Sequence, residues 1–587
     1  MAAPVRSLRR HISLRWQAVV AGLGIMLMSA FLVQSAGAYN TVLVAAAGGT
    51  FVEADVGGPR YINPVLCQFN QVDSDISALV FSGLTRRDER GNVVPDLATS
   101  WDISPDGKRY TFHLRNDAFW HDGLPVSAED VAFTVGVLQS PDYPGPPNLA
   151  RLWRDVKVTV FDERTVSFDL PEPYSPFLAY TDVGILPAHV LKNTPVTELT
   201  KSEFNRLPIG SGPYVVVEAD AEHVLLHPSS RYYGEAPYLS AFEFRFFHDQ
   251  GEALRAYERG EVSGIADVAP EYLSEVASSK TLVVYSASIA RLEMVLLNLK
   301  SASATFLGDR SLRVALMLGL DRQALVTHVL EGRGVPAHAP FASYSWALNP
   351  NGLSYSYDPA QAAKILDAQG WMDHDGDGIR DKDGQRLQFT LLVPDERSAK
   401  AVGQEIARQW RTIGVATEVK AVPFVELVEK HLQARQFDAA LVDLSVSGDP
   451  DPYILWHSSQ AQPGGQNYAA FVNPEADKLL ESARREPDRE KRQKMYYRFQ
   501  DIFAEELPAL PLYYPVYTYA VDQSVHGVEL GPLVEPYDRF RSLPGWYVNY
   551  RRLRVREGSE GSVGLGKLAP ILQPSTLGPE VSGRPGG

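Results

Sequence analysis

The chain has 587 residues, of which 45% are hydrophobic, 10% aromatic and 22% charged, with a formal net charge of −15. This is a globular composition, apolar enough for real cores and too moderate in charge for wholesale disorder. The acidic balance argues against a nucleic-acid binder, and the single cysteine, Cys67, excludes an intramolecular disulfide framework, a cysteine zinc site and an iron–sulfur cluster. The length predicts several domains or two large lobes.

The first fifteen residues carry Arg6, Arg9, Arg10 and Arg15 and no acid, and Ala18–Val33 is an apolar run broken only by Ser29. With the small residues Ala36, Gly37 and Ala38 behind it, segment 1–40 reads as a secretory signal. With its flanks the run also approaches the roughly 20 residues that span a bilayer, so a cleaved signal and a retained N-terminal membrane anchor both stay open. Either way the bulk of the chain is expected outside the cytoplasm, in the periplasm or on the outer face of the membrane. The far end, 556–587, is rich in Gly, Ser and Pro without an aromatic residue, which predicts a flexible tail.

Between these ends, strands and helices alternate. Tyr110–Arg115 alternates apolar with polar residues as a half-buried strand does, and Thr165–Leu170 and Val215–Ala219 behave similarly. Ser127-Ala-Glu-Asp130 is a capping-box pattern that opens a helix with Val131, Val135 and Leu138 on one face. Asp321 is placed to cap a helix bearing Leu325, Val329 and Leu330. Asp358-Pro359 and Gly370 bracket another helix, and Pro474-Glu475 opens a third with Leu479, Leu480 and Ala483 inward. This mixed order indicates α/β architecture.

No nucleotide-binding glycine loop, nucleophile elbow or zinc-protease motif is present, and no residue pattern points to an enzyme. His223 and His227 share one strand face without a third ligand and read as a solvated or structural pair. One acidic loop stands out: Asp373, Asp375, Asp377 and Asp381 alternate around Gly378 and resemble the opening of a calcium loop. Gly384 stands where the bidentate Glu of such a loop belongs, so an acidic hairpin before the strand Leu387–Val393 is the preferred reading. A calcium ion there would be structural, and no other cofactor is expected.

Several segments in fixed order carry a family resemblance. They are Phe81-Ser-Gly-Leu84, Gly91-Asn-Val-Val-Pro-Asp-Leu-Ala98, Asp106–Arg115, Trp120-His-Asp-Gly123, Pro208-Ile-Gly-Ser-Gly-Pro-Tyr214, Leu312–Arg322, and Asn467-Tyr468 with Asn473-Pro474. Together, over about residues 50 to 545, they resemble the bacterial extracellular solute-binding proteins of family 5, the peptide, oligopeptide and nickel type. The resemblance implies an α/β, two-lobed periplasmic-binding-protein-like fold of type II, in the large form with an extra subdomain in lobe I. Two interlobe crossing segments are implied, near Arg291–Leu299 and Leu512–Asp522. Lobe I is then 48–290, lobe II 291–511, and 512–550 the return to lobe I. Such a protein captures a peptide or similar polar solute between closing lobes and delivers it, as a monomer, to the permease subunits of an ABC importer. A solute-sensing protein of the same fold with a non-peptide ligand is the alternative. The Trp120–Gly123 and Pro208–Tyr214 motifs read as structural signatures.

The resemblance also implies where the ligand lies. In peptide-binding members one lobe-II segment supplies an Asp to the peptide's α-ammonium, just before a Gly-Asp-Pro turn. Aligning Gly448-Asp449-Pro450 on that turn puts Val446 where the Asp belongs. A buried ammonium without its carboxylate costs about 3–5 kcal/mol, a large part of the roughly 8 kcal/mol of micromolar binding. Asp443, three residues earlier, is expected on the opposite strand face, and Asp449 replaces the missing acid only if the loop bends differently. The expected ligand-binding residues are Leu444, Ser445, Val446, Asp449, Tyr453, Trp456, Asn467 and Tyr468 from lobe II, and Asn63, Gln68 and Asn70 from lobe I. Tyr453 and Trp456 also fit a short core helix, and Asp449 also fits a helix cap. Cys67 is expected as a small buried apolar group.

Overall fold

The computed structural model describes residue 16, residues 19–28, and residues 39–556 apart from 89–90 and 446–447. The chain forms two compact units. The smaller unit takes in residues up to 49 and from 547 onward. In it Tyr39–Ala46 pairs antiparallel with Asn549–Arg556, in register from Tyr39↔Arg556 to Ala46↔Asn549. The strand Asn549–Arg556 was not expected from the sequence. Residues 19–28 are helical, and among the described residues no helix is long and apolar enough to cross a membrane. Most of the expected export segment and the tail beyond Arg556 lie outside the described residues.

The larger unit, Thr50–Trp546, is built on a twelve-stranded mixed sheet. Its central member, Ala509–Asp522, is fourteen residues long and nearly all buried, with only Pro515, Val516 and the terminal Asp522 partly open. Its first half pairs with Arg291–Leu297, and its second half pairs with Leu282–Ser288. The change of partner falls at Tyr513–Val516, where Pro515 has no N–H to give a ladder. On one side the sheet continues through Ala439–Ser445, Gln388–Pro394 and Ala416–Val422. On the other it continues through Gly264–Ile265, Thr50–Val56, Ala241–Phe247, His223–Pro228 and Tyr214–Ala219.

A separate four-stranded antiparallel sheet runs in the order Ala98–Ile103, Arg109–Leu114, Thr165–Asp169, Lys157–Asp162. Phe112, Trp153, Phe168 and Phe177 form its edge-to-face aromatic core. The helix Ala128–Gln139 buries Val131, Val135 and Leu138, and the Asp130 carboxylate accepts from the Ser127 N–H at 2.9 Å and the hydroxyl at 3.0 Å. The other helix starts also form as their caps require: Asp321, Asp358 and Asn473 each accept a backbone N–H from the first turn that follows.

Two of the sequence signatures lock onto each other. Trp120 is fully buried and its indole N–H donates to Asp130 at 3.3 Å. Next to it, His121 Nδ1 accepts from the Gly210 N–H at 3.1 Å, which leaves Nε2 to donate to the Gly212 carbonyl at 3.1 Å. Gly210 and Gly212 must be glycine because the chain runs against the backbone of Val80. A Cβ at Gly210 would sit 1.9 Å from the Val80 oxygen, and the Gly212 N–H donates to that same oxygen at 2.8 Å.

The larger unit also buries an ion triad. Arg539 and Glu53 are fully buried and Asp75 nearly so, and Arg539 Nη2 donates to Glu53 Oε1 at 2.6 Å and to Asp75 Oδ2 at 2.7 Å. The Tyr519 hydroxyl donates to the other Glu53 oxygen. A buried pair that loses one member leaves an uncompensated charge. Arg539→Met is therefore expected to lower unfolding stability by about 3–5 kcal/mol in denaturant titration, with partial recovery on adding Glu53→Gln and Asp75→Asn.

Candidate functional site

A cavity of about 1690 Å³ opens inside the larger unit. One wall comes from the helix Gln71–Val80, the stretch from Phe81 to Arg87, the turn Tyr174–Tyr180, Tyr232–Glu235 and Glu535–Arg541. The facing wall comes from Arg291, Ser445, Tyr453, Gln460, Gln466, Glu481, Arg484 and Arg485.

Much of the charge on these walls is paired. Arg484 donates to Asp451 at 2.7 Å while its guanidinium lies 3.8 Å from the Tyr453 ring centre and 5.4 Å from that of Tyr174. Such stacking suits a planar, weakly hydrated cation. Arg87 bonds Asp182 at 2.8 Å and the Ala179 carbonyl at 3.1 Å. Arg115 lies 3.8 Å over the Tyr233 ring, and the Tyr233 hydroxyl donates to Asp96, whose carboxyl burial pushes up to about 6. The result is a wall of aromatic faces and neutralised ion pairs.

Gln68, Ser445 and Tyr453 line this cavity. Asn63 is fully buried and holds its own turn, donating to Asn205 at 3.0 Å and accepting from the Val65 N–H at 3.2 Å. Asn70 caps the helix Gln71–Val80 and donates to the Gly58 carbonyl at 2.7 Å. Leu444 turns to the core face of its strand and packs among buried residues. Asp449 does not replace the missing acid as a free carboxylate, because Arg492 grips both of its oxygens, with Nη1 to Oδ2 at 2.8 Å. Trp456 is 1% exposed and meets Phe503 edge to face at 4.8 Å. Asn467 is fully buried and ties its segment together, donating to the carbonyls of His457 at 3.1 Å and Phe471 at 2.8 Å. Tyr468 packs at the core margin under Arg435. Val446 lies outside the described residues. Cys67 is buried at the cavity edge, and burial pushes its thiol up to about 11.

The structure also brings forward residues outside the expected ligand set. Asp443 shares the open strand face with Ser445 and is bonded to Arg291 at 3.4 Å, and Ser445 and Arg291 line the cavity. Directly opposite it in register sits Glu293. Burial, reinforced by Asp443 and Glu396 and only partly opposed by Arg291, pushes the Glu293 carboxyl up to about 8. No motif marks Arg484, Tyr174 or Glu293; Arg484 meets Asp451 from 33 residues away and Tyr174 from a distant part of the chain, and Glu293 meets Asp443 only through strand pairing.

In the acidic loop, Asp373, Asp375 and Asp377 bring carboxylate oxygens within 4.8 Å of one another, all exposed. Asp381 instead takes His374 Nδ1 at 2.9 Å, and the short hairpin Asp381–Lys382 with Gln385–Arg386 follows.

The model of the bacterial extracellular solute-binding proteins, family 5, matches residues 92–466. The chain belongs to this family. Across 501 residues it is 30% identical to the oligopeptide-binding protein AppA of Bacillus subtilis, covering 84% of this chain and 91% of the relative. The solved structure of that protein in complex with a nonapeptide superposes with a TM-score of 0.68 at 28% identity, over 86% of this chain and all of the other. NikZ of Campylobacter jejuni, solved with Ni(L-His), superposes with a TM-score of 0.70 at 27% identity, over 85% of this chain and 99% of the other. The fold is thus the two-lobed α/β fold of the family 5 solute-binding proteins, a family that works outside the cytoplasm.

Because the folded family 5 protein holds the Glu293 proton up to a pH of about 8, while the unfolded chain releases it near the ordinary 4.5, this residue makes stability fall as pH rises through that window. Glu293→Gln is expected to match the parent in melting temperature below pH 4.5 and to exceed it increasingly toward pH 8, as followed by thermal melts across pH.

Proposed function

We propose that this protein is the solute-binding component of an ABC importer and that it takes a peptide into the cavity between its lobes. Lobe I would be 48–290 with 512–550 returning to it, and lobe II 291–511. The observation that carries the reading is the cavity itself. Its volume of about 1690 Å³ exceeds the ~300–1,000 Å³ of ordinary small-molecule pockets and gives room for an extended chain of several residues. Its paired charges and stacked tyrosines offer side chains a wet, amphipathic surface without a single fixed shape. The Bacillus subtilis relative is an oligopeptide-binding protein solved with a nonapeptide, which agrees with that use.

The lobes would close on the ligand about the crossings at Ser288–Arg291 and Tyr513–Val516, and the loaded monomer would be read by the permease. The N-terminal apolar segment would direct export and, if retained, tether the protein. A ligand that contacts both lobes shifts the open–closed equilibrium by its differential affinity for the closed form.

Adding a mixture of short peptides is expected to lower the radius of gyration in small-angle scattering and to raise the melting temperature. Saturation at a hundredfold excess over Kd corresponds to about 2.7 kcal/mol of added stability. Mass spectrometry should then recover the peptides intact. Unchanged scattering and an unchanged melting temperature at saturating peptide would overturn the reading.

A further inference from the structure

The smaller unit carries a charge pattern of its own. Tyr39–Ala46 and Asn549–Arg556 pair over their full length, from Tyr39↔Arg556 to Ala46↔Asn549. Arg551, Arg552, Arg554 and Arg556 lie on this ribbon and neither strand contains an acid, in a chain whose net charge is −15. Because strand residues alternate between faces, Tyr550, Arg552, Arg554 and Arg556 share one face of the ribbon. Leu553 and Val555 fall on the other, with Val42 as the register partner of Leu553. Arg551 and Arg552 are exposed. A two-stranded ribbon is only marginally stable by itself in water, and like charges in a row along one strand add repulsion. Such a ribbon gains from an anionic surface laid against it.

A second, independent observation lies just ahead of the ribbon. Residues 19–28 form a helix of apolar residues and glycines, every one of them exposed, with Leu23 at 55%, Ile25 at 69% and Met28 at 67%. A helix that is apolar all round belongs in a core or in a bilayer, and this one is not packed into a core. Tyr39 follows Met28 by eleven residues, which reach at most about 40 Å even when fully extended. A bilayer that takes up the helix therefore keeps the ribbon close to its surface. Aromatic residues that favour the headgroup level stand at both places: Trp16, 67% exposed, ahead of the helix, and Tyr550, 56% exposed, on the basic face of the ribbon.

We propose that the ribbon is a docking surface for anionic phospholipid headgroups, with its arginine face laid against the same bilayer that takes up the N-terminal helix. A guanidinium meets phosphate oxygens in a bidentate fork, which suits arginine rather than lysine at these positions. Each arginine within a Debye length of an anionic surface strengthens binding about fivefold. The proposal is independent of what the cavity binds.

The test uses the full chain, carried in mild detergent into phosphatidylcholine vesicles with and without phosphatidylglycerol. Limited trypsin digestion read by mass spectrometry reports cleavage after Arg551, Arg552, Arg554 and Arg556 separately from cleavage at the N-terminal arginines. Cleavage at the ribbon is expected to be about tenfold or more slower on the phosphatidylglycerol vesicles than on phosphatidylcholine alone, since two engaged arginines suffice for that factor. The protection should vanish in about 1 M salt, where the Debye length falls to about 3 Å. In vesicle flotation, the combined changes Arg551→Gln, Arg552→Gln, Arg554→Gln and Arg556→Gln should lower retention on phosphatidylglycerol vesicles and leave retention on phosphatidylcholine unchanged. Equal cleavage on the two kinds of vesicle overturns the docking surface and leaves the arginines as edge charges that discourage pairing with other chains. Protection already present without vesicles, or surviving the high salt, assigns the ribbon to a protein contact and overturns the proposal as well. The digestion needs no variant, so the test stands even if the glutamine variant pairs its strands poorly.

Discussion

The larger unit depends on one strand. Ala509–Asp522 gives its first half to the ladder with Arg291–Leu297 and its second half to the ladder with Leu282–Ser288. Each half is therefore anchored along its length by backbone hydrogen bonds, and where these two partners change Gly334–Pro336 pairs with Tyr513–Pro515. Pro511 and Pro515 interrupt the strand's own donors, and partial exposure at Pro515 and Val516 shows the core thinning there. The exchange of partners along this one strand joins the two halves of the sheet.

The same geometry explains where charge sits. Strand pairing at the crossing brings residues from distant parts of the chain side by side. Carboxylates such as Glu293 and Asp443, harmless when apart in sequence, become cross-strand neighbours. Elsewhere the fold answers such crowding with arginine: Arg539 for Glu53 and Asp75, Arg492 for Asp449, Arg484 for Asp451. Much of the charge on the cavity walls is neutralised in this way.

Family membership sets the architecture and the working compartment, yet the solved relatives hold ligands as unlike as a nonapeptide and nickel-histidine on one scaffold. The scaffold's signatures are accordingly structural here. His121 clamps the glycine turn at Gly210 and Gly212, and that turn presses on Val80, which lies between the cavity-lining Leu79 and Phe81. The motifs easiest to see in the sequence hold the walls in place and leave the lining free to vary.

Local rules were enough to read the capped helices at Ser127, Asp321, Asp358 and Asn473, the alternating strand at Tyr110, and the α/β class, because each is settled by residues within a few positions of one another. The ordered motifs carried the family. Which polar residues are structural was not legible. Asn63, Asn70 and Asn467 have the chemistry of ligand contacts, but each is taken up by protein partners that no motif marks: Asn205 for Asn63, Gly58 for Asn70, and His457 and Phe471 for Asn467. Asp443 was set aside on strand parity measured from Val446, whereas the strand itself puts it on the open face beside Ser445. The sequence by itself determined the elements, their caps and the scaffold. Only the tertiary structure decided which carboxylates are paired and with which arginine, because pairing depends on long-range register that no local pattern encodes.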